Sequence, residues 1–386
     1  MKRNTIVYVV NNTAFFVSHR LPLALEAINR GWRVILITGQ AGSHSMESNA
    51  MNILNETEIK HHRLNFKSGF GNVIQEFLGF CNLYLLLKKY RPEICHTVSP
   101  KAILLGGICT RLLKSPALVM AISGQGWLKT KGNNISIFKF FVSCFFDIGI
   151  RFIVRHRKLK LIVQNLDDYK VFFKLLKGNR GKINLISGSG VQLNDFINHD
   201  IGAKENIILF PARLLRDKGL IEFIKAVKMI SPLFPDWQFK LMGASDYDNP
   251  SSISEGQLKR LIEGTNIQIL GHIEDVKPLF KSSSVVCLPS YKEGLPKSLI
   301  EASASGCAIV TTDVTGCRDI IKDEFNGLLV KVRSVQSLTS ALKRICFDKE
   351  LRYYLGMNAR NKAIEEYSIE NVIKSTHNIY NDLIKK

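Results

Sequence analysis

The stretch Ser290–Val314, SYKEGLPKSLIEASASGCAIVTTDV, decides how the rest of the chain is read. A tight turn at Glu293-Gly294 precedes Pro296, which a first helical turn tolerates because the N–H that proline lacks would be unpaired there in any case. The spacing predicts a helix from Pro296 to about Ser305, ended by Gly306. The β-branched run Ile309–Thr312 then reads as a buried strand, and Val285–Leu288 as the strand that comes before the turn. Strand, turn, helix and strand make a βαβ unit. The Glu293-Gly294-Leu295 turn therefore sits at a strand's carboxyl end, where open α/β sheets bind ligands. The N–H groups of Leu295, Lys297 and Ser298 point there and favour negative charge.

Glu293 stands at the mouth of this predicted site, and Glu301 lies roughly two turns into the helix on the same side. Two carboxylates beside an anion-binding helix end are reconciled by a ligand that carries both an anion and hydroxyls. The helix end and basic residues take phosphates, while the carboxylates accept hydrogen bonds from sugar diols. A nucleotide sugar has those parts. Arg213 and Lys218, in PARLLRDKG just past the strand Ile207–Phe210, read alone as an ordinary solvated basic loop. Beside the glutamates they read as holders of a diphosphate, neutralising charge that builds on a leaving nucleoside diphosphate.

Glu293 and Glu301 inside EGLPKSLIEA, followed by TTDVTGCRDII, resemble the donor-site signature of family-4 retaining glycosyltransferases of the GT-B fold. ARLLRDKG resembles that family's phosphate-binding loop. The resemblance implies two Rossmann-like, doubly wound parallel-sheet domains facing a central cleft, the second binding a UDP-sugar. It further implies that Glu293 holds sugar hydroxyls, Arg213 and Lys218 the diphosphate, and Glu301 the ribose diol. Gly294, Leu295, Lys297, Ser298, Gly243 and His272 complete the donor-side candidates. NNTAFFVSHRLPLA, after the first strand, resembles the acceptor-side loop of a subgroup and contributes Ser18, His19 and Arg20. His96 in ICHTVSPKA, with Ser123 and Gly124 in ISGQGWLKT, is expected along the carboxyl edge of the first sheet. Val98 and Ser123 stand where family members commonly carry histidine, so Ser123 and the Gly124 backbone would replace that group.

SHRLPLA, HTVSPKA, IVQNLDD and SGSGV resemble stretches of bacterial polysaccharide-assembly members. They imply an acceptor saccharide on undecaprenyl diphosphate, in O-antigen or capsule synthesis at the cytoplasmic face of the inner membrane. Retention without a second carboxylate placed as nucleophile implies attack on the face from which UDP leaves.

The 386 residues suit two domains. Strand and helix alternate through residues 1–190, implying a parallel sheet. The polar, glycine-rich segment 191–204 reads as a linker, and residues 205–368 restart the pattern. The final apolar spacing, 369–386, reads as a helix that the resemblance packs back on the first domain. Cysteines 81, 95, 109, 144, 287, 307, 317 and 346 show no C-x-x-C spacing and read as reduced core residues, which favours a cytoplasmic location. No signal peptide is expected before the strand Thr5–Val10, and Lys139, Asp147 and Arg151 argue against a membrane span in Ile135–Val154.

The net charge of +20 is unevenly shared. Residues 1–190 hold 27 Lys and Arg against 9 Asp and Glu, while residues 191–386 hold 26 against 24. Such asymmetry predicts that the first half faces a polyanion. The basic run 155–160 follows Phe138, Phe140, Phe141, Phe145, Phe146 and Phe152, which suits an anionic membrane surface; a solvated helix end beside buried aromatics is the plainer reading. Asp246-Tyr247-Asp248 has D-x-D spacing, but it lies in the turn-forming loop SDYDNPSS, and Arg213 and Lys218 already supply positive charge. No metal or other cofactor is expected. The histidines show neither H-E-x-x-H nor zinc spacing. A nucleotide-sugar epimerase or a basic nucleic-acid- or membrane-binding protein would fit parts of this pattern, but no nucleic-acid motif accompanies the charge.

Overall fold

The computed structural model describes residues 3–40, 44–67, 73–114, 116–122, 146–197, 199–246, 249 and 251–385. They form two compact units, Met1–Ser189 with Val372–Lys386, and Gly190–Asn371.

The first unit is built on β1 (Thr5–Val10), β2 (Arg33–Gln40), β3 (Lys60–Lys67), β4 (Ile94–Val98), β5 (Ala117–Ile122), β6 (Leu159–Val163) and β7 (Ile183–Leu185). These pair in the order β3-β2-β1-β4-β5-β6-β7 as a parallel sheet, doubly wound about the β1–β4 junction. The central strands β1, β4 and β5 are buried along their whole length because helices cover both faces of the sheet. On one face lie α1 (Thr13–His19), α2 (Leu21–Asn29) and α3 (His44–Asn55); on the other lie α4 (Val73–Tyr90), α5 (Pro100–Leu113), α6 (residues 146–153) and α7 (Leu166–Leu175). Successive strand residues serve opposite layers: Val119 and Ala121 belong to the core on the α1–α3 side of the sheet, whereas Leu118 and Met120 belong to the core shared with α5, α6 and α7.

The sequence spacing suggests a helix over 19–29, which is α2, but a further helix, α1, precedes it, the two separated at Arg20 with φ −133°. Pro22 explains the break, since it has no N–H to give the Ser18 carbonyl. Asn12 caps α1 by accepting from the Phe15 N–H at 2.8 Å, and the Glu47 carboxylate takes the Thr13 and Ala14 N–H groups at 3.2 Å each.

The second unit opens with the short α8 (Asn194–Ile197) and contains β8 (Glu205–Pro211), α9 (Leu220–Ile230), β9 (Gln238–Met242), α10 (Glu255–Ile262), β10 (Ile267–Gly271), α11 (Lys277–Ser282), β11 (Ser283–Leu288), α12 (Lys297–Ala304), β12 (Ala308–Thr312), α13 (Cys317–Ile320), β13 (Leu328–Val330), α14 (Val335–Phe347) and α15 (Lys349–Glu366). Its six parallel strands run β10-β9-β8-β11-β12-β13, with the switch between β8 and β11. The segment 191–204, expected as a linker, is packed into this unit. Val191 and Phe196 join its core, the Val191 N–H bonds the Tyr367 carbonyl at 2.9 Å, and Asp195 pairs with Lys277 at 3.2 Å. Those apolar residues were hidden among polar neighbours.

The last helix, α16 (Ile369–Ile384), starts in the second unit and contributes Val372, Ile379, Tyr380 and Leu383 to the core of the first. Burying such side chains stabilises by roughly 1.5–3 kcal/mol each. All seven cysteines among the described residues are free, six of them buried; Cys144 lies outside those residues.

Candidate functional site

In a parallel sheet every strand's carboxyl end falls on one edge, and the reversal of strand order leaves a crevice there. In the second unit this edge receives Arg213 after β8, Gly243 after β9, His272 after β10, Glu293 after β11 and Gly316 after β12. β8 and β11 are neighbours at the switch, so the loops after them must meet.

They do so through side chains. Lys218 Nζ donates to Glu293 Oε1 at 2.5 Å, and Ser290 Oγ donates to the same oxygen at 2.6 Å. The backbone joins them as well, the Tyr291 N–H reaching the Asp217 carbonyl at 2.9 Å. Gly219, at φ +75°, lies so near Pro289 that an added Cβ would meet its carbonyl oxygen at 2.1 Å. Tyr291 is pinned by its hydroxyl to Glu222 Oε1 at 2.7 Å, and the Arg333 guanidinium sits over its ring at 4.5 Å. Burial and the Glu222 carboxylate push the Tyr291 phenol above its ordinary pKa, so it stays protonated and remains a donor.

The Glu293-Gly294 turn rests on the loop after β12. A Cβ on Gly316, at φ +83°, would meet the Gly294 carbonyl oxygen at 2.4 Å. Ser290 is held in turn by its carbonyl, which accepts from Thr312 Oγ1. Gly243, at φ +146°, lets the end of β9 approach Ala212, where a Cβ would meet the Ala212 carbonyl oxygen at 2.1 Å. Arg213 on that loop pairs with Asp246. Tyr247 and Asp248, the rest of the D-x-D spacing, lie outside the described residues.

α12 begins one residue later than the spacing suggests. Pro296 is extended, at φ −69° and ψ 115°, and serves as the cap without a side-chain hydrogen bond. Glu293 therefore belongs to the turn, and Glu301 lies one turn into the helix instead of two. Glu301 pairs with Lys297 at 3.5 Å, and its side chain keeps only 13% of its exposure. Burial raises the Glu301 pKa above the carboxylate norm, with Lys297 opposing. Leu295 packs on the core below, Ser298 is half-buried in the first turn, and His272 is exposed.

In the first unit the candidates separate. Ser18 is exposed, and His19 stacks on Phe15 with ring centroids 4.3 Å apart. Arg20 is buried; its Nη1 donates to the His19 carbonyl at 2.8 Å, and its Nε has no hydrogen-bond partner among the described residues. His96 sits mid-strand in β4 and not at its end, buried beside Tyr8 and α16. Its Nδ1 lies 2.6 Å from Tyr380 Oη, which lies 3.0 Å from Tyr8 Oη. Burial, then the nearby Arg20 and His377 charges, drives the His96 pKa well below its ordinary value, so the imidazole is neutral. Arg20, His96 and Thr376 share the wall of a cavity of ≈ 10 Å³, room for about one water. Ser123 and Gly124 lie outside the described residues, as do Phe138, Phe140, Phe141 and Phe145.

The sequence reading missed Ser290, Gly219, Gly316 and the tyrosine pair. The glycines carried a visible signal in turn position; Tyr8 and Tyr380 carried none.

Residues 191–362 match the family described as Glycosyl transferases group 1, and residues 5–156 the one described as Glycosyl transferase 4-like. Over 329 residues the chain is 28% identical to the Escherichia coli UDP-Gal:alpha-D-GlcNAc-diphosphoundecaprenol alpha-1,3-galactosyltransferase, covering 81% of each chain. It is also 28% identical to the Campylobacter jejuni N,N'-diacetylbacillosaminyl-diphospho-undecaprenol alpha-1,3-N-acetylgalactosaminyltransferase, over 80% of this chain and 81% of that one. Among solved structures, sucrose-phosphate synthase from Thermosynechococcus elongatus superposes with a TM-score of 0.77 at 19% identity, over 99% of this chain and 100% of that one. Anabaena HepE in complex with UDP-glucose gives 0.76 at 15% identity, over 98% and 99%. Both share the fold.

Proposed function

The chain belongs to the glycosyltransferases of the GT-B fold, with a 4-like first half and a group 1 second half, and on that premise we propose that it moves a sugar from a UDP-sugar onto a polyprenyl-diphosphate-linked saccharide with retention of anomeric configuration. The observation that carries this reading is the Lys218–Glu293 pair, held by Ser290 at the switch point of the second sheet. It sets a cation for a diphosphate beside a carboxylate for sugar hydroxyls. Two relatives named for diphosphoundecaprenol acceptors support a lipid-linked substrate, and one of them is named for a UDP donor.

In the proposed reaction the acceptor oxygen bonds the anomeric carbon as the bond from that carbon to the β-phosphate oxygen breaks. UDP leaves with the electron pair, and its departing oxygen takes the hydroxyl proton. Lys218 and Arg213 neutralise the charge that grows on the diphosphate, a role worth most where water is excluded. Glu293 orients sugar hydroxyls, and Glu301, one turn into α12, takes the ribose diol. These cations carry the charge role without a divalent ion. Among the described residues no helix is long and apolar enough to cross a membrane. A peripheral place at the cytoplasmic face belongs to the same proposal, and its support is the lipid-linked acceptors for which the two relatives are named.

A panel of UDP-sugars and GDP-mannose, offered with undecaprenyl-diphosphate saccharides, tests this. One UDP-sugar should release UDP in step with acceptor lengthening. An epimerised sugar nucleotide with no acceptor consumed would overturn it.

A further inference from the structure

The outer layer of the first unit is unlike an ordinary solvated helix face. α4 buries Leu83 and Leu87 against the sheet, yet its opposite side presents Ile74, Phe77, Leu78 and Leu85 at 68%, 65%, 52% and 58% exposure. Their spacing of 3, 1 and 7 residues keeps them on one stripe. A soluble helix normally puts charge there.

The neighbouring helices continue the pattern. α5 packs beside α4, and α6 lies against α5, with Gly107 facing Ile153 and Gly149 facing Leu104. α6 exposes Ile148 at 67%, while Phe152, 37% exposed, lies under the Arg111 guanidinium at 4.5 Å. Around this apolar ground stand cations: exposed Lys88 and Lys89 close α4, and exposed Arg155, Arg157 and Lys158 follow α6. Glu76 on α4 is already neutralised by Lys101 at 2.7 Å. Lys160, the last of the basic run, is turned to the other face, where it pairs with Asp382 at 3.6 Å.

We propose that the α4–α5–α6 face of the first unit docks on an anionic lipid membrane, the α4 stripe inserting at the headgroup boundary while Lys88, Lys89, Arg155 and Arg157 take lipid phosphates. Charge complementarity selects this occupant. In a symmetric dimer the same patch would meet itself, setting these cations against one another. A nucleic-acid backbone would use the cations and leave the protruding Phe77 and Leu78 in water. Lipid satisfies both. The assignment rests on the surface alone and does not depend on which sugar is transferred.

The full chain is sedimented with vesicles of phosphatidylcholine, with and without phosphatidylglycerol, across a salt series. It should bind the anionic vesicles and release as salt rises. Changing Lys88, Lys89, Arg155 and Arg157 to Gln should weaken that binding by roughly fivefold per charge. Phe77→Gln with Leu78→Gln should remove the salt-resistant fraction. In the otherwise native chain, Ile74→Trp should shift its emission to the blue on adding anionic vesicles. Equal binding of the native and both altered chains, or no shift at position 74, would overturn the proposal. So would a dimer in analytical ultracentrifugation that Phe77→Gln with Leu78→Gln dissociates. None of these readouts involves sugar transfer, so their failure would leave the transferase reading standing.

Discussion

Lys218 and Glu293 are distant in sequence and adjacent in space because β8 and β11 are neighbours. Lys218→Ala should lower kcat on the order of 10²- to 10³-fold, the usual loss when one preorganised donor to a growing charge is removed. The same change strips Glu293, whose side chain keeps 9% exposure, of its cation, so a melting curve should drop as well. Glu301 makes a prediction in pH. Its folded pKa is raised, so the folded state holds its proton more tightly than the unfolded one. This contribution to stability is present below the ordinary carboxylate range and is lost as pH rises through the raised value. Glu301→Gln should therefore be the more thermostable protein at neutral pH, with the advantage shrinking in acid. A ribose diol hydrogen-bonded to the carboxylate favours its charged form, so UDP affinity of the native chain should fall as pH drops through the same range. Glu301→Ala should weaken UDP by about 1.5–3 kcal/mol for each charge-assisted bond lost. Titration calorimetry reads both effects; an affinity unmoved by pH and by the substitution would remove Glu301 from the nucleotide site.

At the scale of elements, local signals carried far and pairings did not. The strand–helix alternation placed strands at 5–10, 94–98 and 117–122, where β1, β4 and β5 lie, and Pro22 contains the reason for the break between α1 and α2. The Glu293 turn was readable because strand, turn and helix follow one another. What holds that turn was not, since Gly316 and Gly219 matter through backbones more than twenty residues away in sequence. β13 is three residues long and α3 is largely polar, so neither offered a period to read. Gly219→Ala tests the interlock of the two loops. With φ at +75° and Pro289 in the way, it should cost on the order of 1–3 kcal/mol and slow transfer together, as a lower melting temperature and a lower kcat.

For the molecule as a whole, the end of the chain completes the core of its beginning. Tyr380 bridges Tyr8 and His96, contacts that span 372 and 284 residues and that no local pattern could disclose. Tyr380→Phe leaves His96 Nδ1 buried without its partner, a loss of about 1–3 kcal/mol. Hydrogen exchange should show the loosening in residues 5–10, 94–98 and α16, with α9 and α12 unchanged; equal loosening everywhere would mean that the two units unfold as one. The charge split also spans the whole chain: Lys and Arg are shared almost equally between residues 1–190 and 191–386, and it is the scarcity of carboxylates that leaves the half with the apolar α4 outer face strongly positive.

Retaining transfer from a UDP-sugar, with Lys218 and Arg213 neutralising the diphosphate, is reached whole by one assay. With the reactive UDP-sugar and a lipid-linked acceptor in excess EDTA, UDP release is timed while proton NMR reads the anomeric coupling of the new linkage. The expected result is one UDP per lengthened acceptor, the donor's own anomeric configuration in the product, and a rate that persists under EDTA. An inverted linkage, or a rate abolished by EDTA, restored by Mg²⁺ or Mn²⁺ and then lost in Asp246→Ala, would contradict it.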